Sequence, residues 1–155
     1  MYKRQSPTIS TVADAPTDSL TVYCGTTDAN VWRSLDAGNT WTDISDGLPE
    51  RYVTCVKGSP DIENGVYVAH SGYLSGDNSS HIHYSTDNGD TWMDISGDLP
   101  DLAINHIEVM PNNGGSVIFV ATDGGVYATL NGGQNWDRLG ASFPYIITYL
   151  SLIHI

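Results

Sequence analysis

Two histidines on one short segment are the first residues whose type and spacing could support chemistry. His81 and His83 are separated by one residue, so on a β-strand both imidazoles would lie on the same face. Zn²⁺ accepts imidazole ligands, and His70 or His106 could complete such a site. An internal repeat, described below, instead aligns His83 with aromatic packing positions and His81 with solvent-facing loop residues. We therefore predict no metal site here.

Carboxylates are the most abundant candidate groups for catalysis. The chain has fifteen Asp and three Glu residues. Two carboxyl groups on either side of a sugar can hydrolyse a glycosidic bond, but only the fold sets the separation that this requires. Because pairs of acidic residues are common at this abundance, the sequence singles out no pair, and we predict no catalytic residue and no cofactor.

The two cysteines, Cys24 and Cys55, leave two alternatives open. They are too few for a disulfide scaffold and lack the paired spacing of a zinc site. Two buried free thiols are the favoured interpretation, and a Cys24–Cys55 disulfide is the other. Neither one fixes the cellular compartment.

Composition and charge exclude several classes of partner. Six basic residues against eighteen acidic ones give a net charge of −12, which would repel nucleic-acid phosphates and anionic lipids. No stretch is long and apolar enough to span a membrane, and no apolar segment follows the basic start at residues 1–7, so no signal peptide is predicted. The abundance of Gly, Asp, Asn, Thr, Tyr and Trp favours strands joined by tight turns.

An octapeptide occurs three times and defines a repeat. The copies start 51 and 44 residues apart, a period typical of β-propeller blades. Their flanking segments repeat as well, with β-branched and aromatic residues before each copy. The three octapeptides span residues 34–41, 85–92 and 129–136.

Each repeat is predicted to form four antiparallel strands, a unit that we call a blade. The innermost strands begin at Ile9, Val53 and Ile104, and the fourth strand of each blade begins at the octapeptide Trp. In this alignment His83 takes the place of Trp32 and Tyr127. The fold class is therefore all-β, a β-propeller arc. Its domain covers residues 9–144, with blades at about 9–48, 49–99 and 100–143, and residues 145–155 either begin a further blade or form a non-native tail.

The octapeptide is predicted to fasten the hairpin between the third and fourth strands. Ser and Asp at its first and third positions can hydrogen-bond backbone amides, Gly at the fifth supplies a positive φ, and Trp at the eighth packs between blades. The third copy has Thr, Asn and Asn in place of Ser, Asp and Thr, so we expect a looser turn. The predicted structural residues are Ser34, Asp36, Gly38, Trp41, Ser85, Asp87, Gly89, Trp92, Asn131, Gly133 and Trp136.

These octapeptides resemble the Asp-box, or bacterial neuraminidase, repeat. That repeat is known from sialidases, xyloglucan-cleaving glycoside hydrolases, sortilin-type receptors and a photosystem II assembly factor. With Leu48-Pro49 and Leu99-Pro100 before the innermost strands, the blades look most like secreted bacterial repeat proteins and xyloglucanase-like propellers. The resemblance implies a propeller and an extracellular or cell-surface location, but little about function. The arginine triad of a sialidase is not matched, because the arginines of this chain do not recur at equivalent blade positions.

Candidate binding residues are predicted on the rim opposite the octapeptides. Residues 71–80 are inserted between the second and third strands of the middle blade, and form either a tolerated insertion or a ligand-contacting lip. The connections between blades lie at the same rim. The residues selected there are Tyr52, Tyr73, Asp77 and Asp123.

The predicted function is a non-catalytic scaffold or binding segment of a larger secreted or cell-surface bacterial protein, with a protein or a glycan as partner. The alternative is a fragment of a xyloglucanase-like glycoside hydrolase. Closed propellers have about four to eight blades, so three blades require further blades of the same chain, or an equivalent, to close.

Overall fold

The computed structural model describes residues 6–72, 81–140 and 147–149. Within these ranges the chain forms twelve β-strands and no helix, and therefore no helix that could cross a membrane. The strands form three separate four-stranded sheets, one for each sequence repeat. The all-β prediction is confirmed.

The twelve strands alternate with short loops along the chain. The three blades contain, in order, β1 (Ile9–Ala15), β2 (Asp18–Thr26), β3 (Val31–Ser34) and β4 (Thr42–Asp43); β5 (Val53–Gly58), β6 (Val66–His70), β7 (Ile82–Ser85) and β8 (Met93–Asp94); and β9 (Ile104–Val109), β10 (Ile118–Thr122), β11 (Gly125–Thr129) and β12 (Asp137–Arg138).

Each blade is an antiparallel meander in which chain neighbours are also sheet neighbours. The fourth strands are shorter than predicted, with only two paired residues each. The octapeptide Trp lies just before the fourth strand. The first residue after that strand adds one backbone hydrogen bond to the third strand; in blade 1, the Ile44 amide donates to the Val31 carbonyl. The octapeptide turn therefore takes up part of the length that the sequence assigned to the strand.

The apolar core lies between consecutive blades. One buried cluster joins Tyr23, Val31 and Ile44 of blade 1 to residues of blade 2 that include Val53 and Val56. A second, equivalent cluster joins blade 2 to blade 3. We call the face of a blade that packs on the preceding blade its leading face and the opposite one its trailing face. Val53 and Val56 thus belong to a leading face, and Ile44 to a trailing face.

A side chain near the start of each innermost strand binds the next innermost strand. Ser10 Oγ donates to the Val53 carbonyl at 2.6 Å, and Thr54 Oγ1 donates to the Ile104 carbonyl at 2.6 Å. Asn105 Nδ2 donates in the same way to the Thr148 carbonyl at 3.0 Å. The three strands β1, β5 and β9 therefore lie side by side, and Thr148 lies next to β9.

The loops form two rims. The octapeptide turns and the β1–β2, β5–β6 and β9–β10 loops share one end of the strands, which we call the octapeptide rim. The connections between blades and the loops that join the second and third strands share the other end, the connection rim. A hydrogen bond from the Ser71 amide to the Tyr52 carbonyl links a loop and a connection at the connection rim.

Candidate functional site

The Ser and Asp side chains make the same hydrogen bonds in the first two octapeptide turns. In the first, Ser34 Oγ accepts from the Gly38 amide at 2.8 Å, and Asp36 accepts from the Thr40 amide at 2.8 Å and from the Thr40 hydroxyl at 2.7 Å. The bond from the Thr40 amide is the main reason that the pKa of Asp36 lies below its usual value. In the second turn, hydroxyl donors from Ser85 and Thr91 help to lower the pKa of Asp87 to about 2. Both carboxylates therefore accept hydrogen bonds from residues of their own turn.

The third turn keeps the backbone bonds of the first two despite its substitutions. Asn131 Oδ1 accepts from the Asn135 amide at 3.0 Å, and Thr129 Oγ1 accepts from the Gly133 amide at 3.0 Å. Asp98, from the connection that follows blade 2, also accepts from the Trp136 amide at 2.6 Å. The Asn131 and Thr129 bonds are slightly longer than their equivalents in the first two turns, which measure 2.8–2.9 Å, and the looser third turn stays a prediction.

The octapeptide tryptophans of blades 2 and 3 contact the preceding blade. Trp92 Nε1 donates to the Ile44 carbonyl at 2.8 Å, and Trp136 Nε1 donates to the Ile95 carbonyl at 3.1 Å. Trp41 instead donates to Gly38 within its own turn and is 42% exposed. No described blade precedes Trp41, so its predicted packing between blades stays a prediction.

A cavity of about 550 Å³ lies at the connection rim of blade 1. It lies between the β2–β3 loop and the connection to blade 2, and Tyr52 lines it with 43% of its surface exposed. The carboxyl-bearing residues Asp28, Asp46 and Glu50 also line it. Its described lining contains no Lys and no Arg, so it combines an accessible aromatic ring with negative charge.

Blade 2 has a direct contact at the equivalent place. His81 and Asp101 align with Asn30 and Glu50 of blade 1, and His81 Nε2 lies 2.6 Å from Asp101 Oδ1. His81 is only 4% exposed, which corrects the solvent-facing loop position predicted for it. In blade 2 this pair joins the β6–β7 loop to the connection that leads to blade 3. In blade 1 the equivalent loop and connection lie on either side of the cavity.

His70 lies beneath the same rim. It is fully buried, packs edge-on against His83 with ring centroids 5.6 Å apart, and neither ring nitrogen has a hydrogen-bond partner in the described structure. Burial, with the nearby His83, His81 and Arg51, lowers the pKa of His70 to about 3. Burial also lowers the pKa of His83. Among the described residues, no group of His, Cys, Asp or Glu has an arrangement that could hold a metal ion.

The remaining predicted binding residues do not gather around the cavity. Asp123 Oδ1 accepts from Asn105 Nδ2 at 3.0 Å, so its carboxylate joins a rim loop to an innermost strand of blade 3. Tyr73 and Asp77 lie outside the described residues. Of the predicted binding residues that the structure describes, only Tyr52 lines the cavity.

Both cysteines are buried free thiols. Burial raises the pKa of each, which disfavours the reactive thiolate. Cys55 Sγ lies 3.7 Å from His106 Nδ1. Of the two alternatives that the sequence left open, the structure therefore has two buried free thiols and no Cys24–Cys55 disulfide.

Sequence reasoning missed a charged group on the innermost strands. Lys57 Nζ lies 3.1 Å from Glu108 Oε2, and His106 Nε2 lies 3.8 Å from the same oxygen. Lys57 and His106, together with Tyr149, line a second cavity of about 440 Å³. The repeat contained the signal, because Lys57 and Glu108 follow the aligned residues Val56 and Ile107 and so occupy equivalent positions.

Comparisons with known proteins place the chain among β-propellers. No protein-family model matches it, and no curated protein matches its sequence. Among solved structures, YCF48 bound to D1 peptide is similar with a TM-score of 0.68 at 19% identity, over 92% of this chain and 44% of that one. YCF48 from Cyanidioschyzon merolae has a TM-score of 0.62 at 21% identity, over 89% and 38%. The GH74 xyloglucanase from Xanthomonas campestris has a TM-score of 0.63 at 16% identity, over 88% and 24%.

These similarities concern the fold. The chain spans less than half the length of each of these structures, and at such identities the likeness carries no assignment of activity. Together with the three four-stranded antiparallel sheets, it identifies the fold of the chain as that of a β-propeller segment.

Proposed function

We propose that this chain is a non-catalytic binding segment of a larger secreted or cell-surface β-propeller protein, and that it binds a protein partner at its connection rim. The observation that carries the proposal is the cavity of blade 1, where the exposed Tyr52 ring stands beside Asp28, Asp46 and Glu50. Ligand sites combine a concave surface with a few polar groups, and loops on a rigid scaffold commonly provide them.

The chemistry of the cavity favours a cationic peptide side chain. A guanidinium or ammonium group can lie over the Tyr52 ring while the carboxylates offset its charge. The overall charge of −12 would also draw a basic partner toward the surface. YCF48, one of the propellers of similar fold, has been solved with a bound D1 peptide, which supports peptide binding as a use of this architecture.

The test is a titration with short synthetic peptides that differ only in net charge. Affinity should rise with the number of Arg residues and fall as salt is added. Glu50→Gln should weaken binding by about tenfold, the loss of one charge-assisted contact. Glu63→Gln is the matched control, because Glu63 is also exposed and acidic but lies on the octapeptide rim.

Equal losses in the two variants would indicate nonspecific attraction and contradict the proposal. Binding of xyloglucan oligosaccharides in place of the peptides would make the partner a glycan.

A fragment of a xyloglucanase-like glycoside hydrolase is the second candidate. The fold similarity to GH74 enzymes favours it. It predicts that the chain binds xyloglucan and that the cleavage site is completed by further blades. Release of reducing ends from xyloglucan by the chain joined to the blades that complete the site, lost in an Asp-to-Asn variant within this chain, would establish this candidate and overturn the first.

A further inference from the structure

A third cavity, of about 330 Å³, lies at the octapeptide rim between the trailing face of blade 2 and the octapeptide turn of blade 3. Small-molecule sites measure about 300–1,000 Å³, so this cavity is large enough for a small ligand. The equivalent place between blades 1 and 2 is filled by side chains of the protein. The filled interface therefore shows which chemistry suits the open one.

Asn88, the fourth residue of its octapeptide, fills the interface between blades 1 and 2. Its Oδ1 accepts a hydrogen bond from the Tyr23 hydroxyl at 2.7 Å, and its Nδ2 donates to Asn64 Oδ1 at 2.9 Å. The backbone carbonyl of Asn88 also accepts from Arg33 Nη1 at 2.9 Å. One carboxamide group thus links a strand of blade 1 to a loop of blade 2.

The equivalents of these residues surround the cavity. Tyr67 aligns with Tyr23, and Gly132 aligns with Asn88. Ser116 corresponds to the loop residue that binds Nδ2, because in both blades the carbonyl at this position accepts from the amide of the fourth octapeptide residue. Tyr67, Ser116 and Gly132 all line the cavity. The cavity therefore lies where the first interface holds the Asn88 carboxamide.

The side chains that fill the first interface are absent or replaced in the second. Gly132 has no side chain. Apart from its chain neighbours, a Cβ atom added there would meet, among the described residues, only the Gly115 carbonyl oxygen, at 3.9 Å. Tyr84 replaces Arg33, and its ring stacks on Tyr67 of its own blade with ring centroids 4.4 Å apart. The space beside the third octapeptide is thus left open.

The polar groups around the cavity favour a neutral amide over an acid or an amine. The hydroxyls of Tyr67 and Tyr84 interact with each other, and one of their two protons can be donated to a ligand, while the Ser116 hydroxyl can accept. A carboxamide has both an acceptor and a donor, whereas a carboxylate lacks the donor and an ammonium group lacks the acceptor. Asp61 accepts from the amide of Gly114, which lines the cavity, and its negative charge disfavours an anion.

We propose that this cavity binds a small neutral ligand through a carboxamide group, which takes the place that the Asn88 amide has in the first interface. The carbonyl oxygen of the ligand accepts from the tyrosine pair, and its N–H donates to the Ser116 hydroxyl. An amide side chain and the acetamido group of a sugar both carry this chemistry. The site is independent of peptide binding at the connection rim, so either can fail without the other.

A nuclear magnetic resonance titration of the isotope-labelled full chain with acetamide tests the proposal. Amide shifts should saturate in the millimolar range, as expected for so small a ligand, and should concentrate in residues 114–116 and 131–132. Acetate has the same shape but carries a charge and no N–H, so it is the control ligand and should give no saturable shift there. Glutamine and N-acetylglucosamine then distinguish the two sources of the group, since the tighter ligand identifies its source.

Two substitutions of Gly132 provide the variant and its matched control. Gly132→Asn installs the residue of blade 2 and should fill the cavity with its own amide, which weakens acetamide binding by about tenfold or more. Gly132→Ala installs the residue of blade 1, adds no amide, and should bind acetamide like the wild type. Both residues are already found at this backbone conformation, because Ala37 and Asn88 have φ values of 57° and 60° where Gly132 has 70°.

The stability of the two variants provides a second readout. Gly132→Asn should have a higher melting temperature than Gly132→Ala, because only the Asn side chain can make the interblade hydrogen bonds that Asn88 makes. Acetamide shifts that are absent, that are matched by acetate, or that persist unchanged in Gly132→Asn would overturn the proposal.

Discussion

At the residue scale, equivalent positions in the repeat perform different physical tasks. Thr26 and Thr122 each donate a hydroxyl hydrogen bond to a carbonyl across the hairpin, to Asn30 and Gly125 respectively. His70 replaces this threonine in blade 2, where its ring is buried without a hydrogen-bond partner in the described structure. A side chain that can take up a proton therefore lies where the other blades have one that cannot.

His70 should make the protein less stable in mildly acidic solution. Its pKa is lowered to about 3 in the fold, so between pH 6.5 and 4.5 the unfolded chain binds a proton that the folded chain does not. Stability is therefore complete above pH 6.5 and should fall by about 2–3 kcal/mol at pH 4.5. Urea unfolding at the two pH values measures the change.

His70→Thr, which installs the residue of the other two blades, is the matched variant. It should remove most of this fall, leaving the smaller contribution of His83, whose pKa is also lowered. The octapeptide carboxylates do not interfere, because their lowered pKa values affect stability only near and below pH 4. An unchanged pH dependence in His70→Thr would mean that His70 is solvated or paired in solution.

At the element scale, the octapeptide turn fastens its own hairpin and, through its tryptophan, two blades. The sequence repeat predicted three four-stranded antiparallel sheets, because β-branched strands and turn residues recur in register. It did not predict the exposure of Trp41, since burial depends on a neighbouring blade and not on the local motif. It also did not predict the contact between His81 and Asp101, which joins a loop to a connection 20 residues away.

Equivalent tryptophans should therefore differ in their contribution to stability. Trp136→Ala should cost about 3–5 kcal/mol, because Trp136 is 6% exposed and its removal opens a cavity between blades 2 and 3. Trp41→Ala should cost about 1 kcal/mol, because its ring is already 42% exposed and packs on its own turn. Denaturant unfolding compares the two variants, and equal losses would contradict the interblade role of Trp136.

At the scale of the whole molecule, a cavity lies at the connection rim of blade 1, between the β2–β3 loop and the connection to blade 2. The sequence located this rim, and it selected Tyr52, because strand order alone determines which loops share an end. The sequence could not locate the cavity. In blade 2 a contact between His81 and Asp101 spans the equivalent place, and the aligned Asn30 and Glu50 of blade 1 line the cavity instead. The acidic residues around it were likewise indistinguishable in the sequence from those that serve turns.

Nuclear magnetic resonance mapping of a bound peptide tests the central claim, binding at the connection rim, most directly. Isotope-labelled chain is titrated with a short Arg-containing peptide, with an equally long Glu-containing peptide as the control. Amide shifts should concentrate in residues 27–30, 45–50 and 52, which line the cavity, and Glu50→Gln should weaken the response. Shifts confined to the octapeptide turns at residues 34–41 and 85–92, or equal responses to the two peptides, would contradict it.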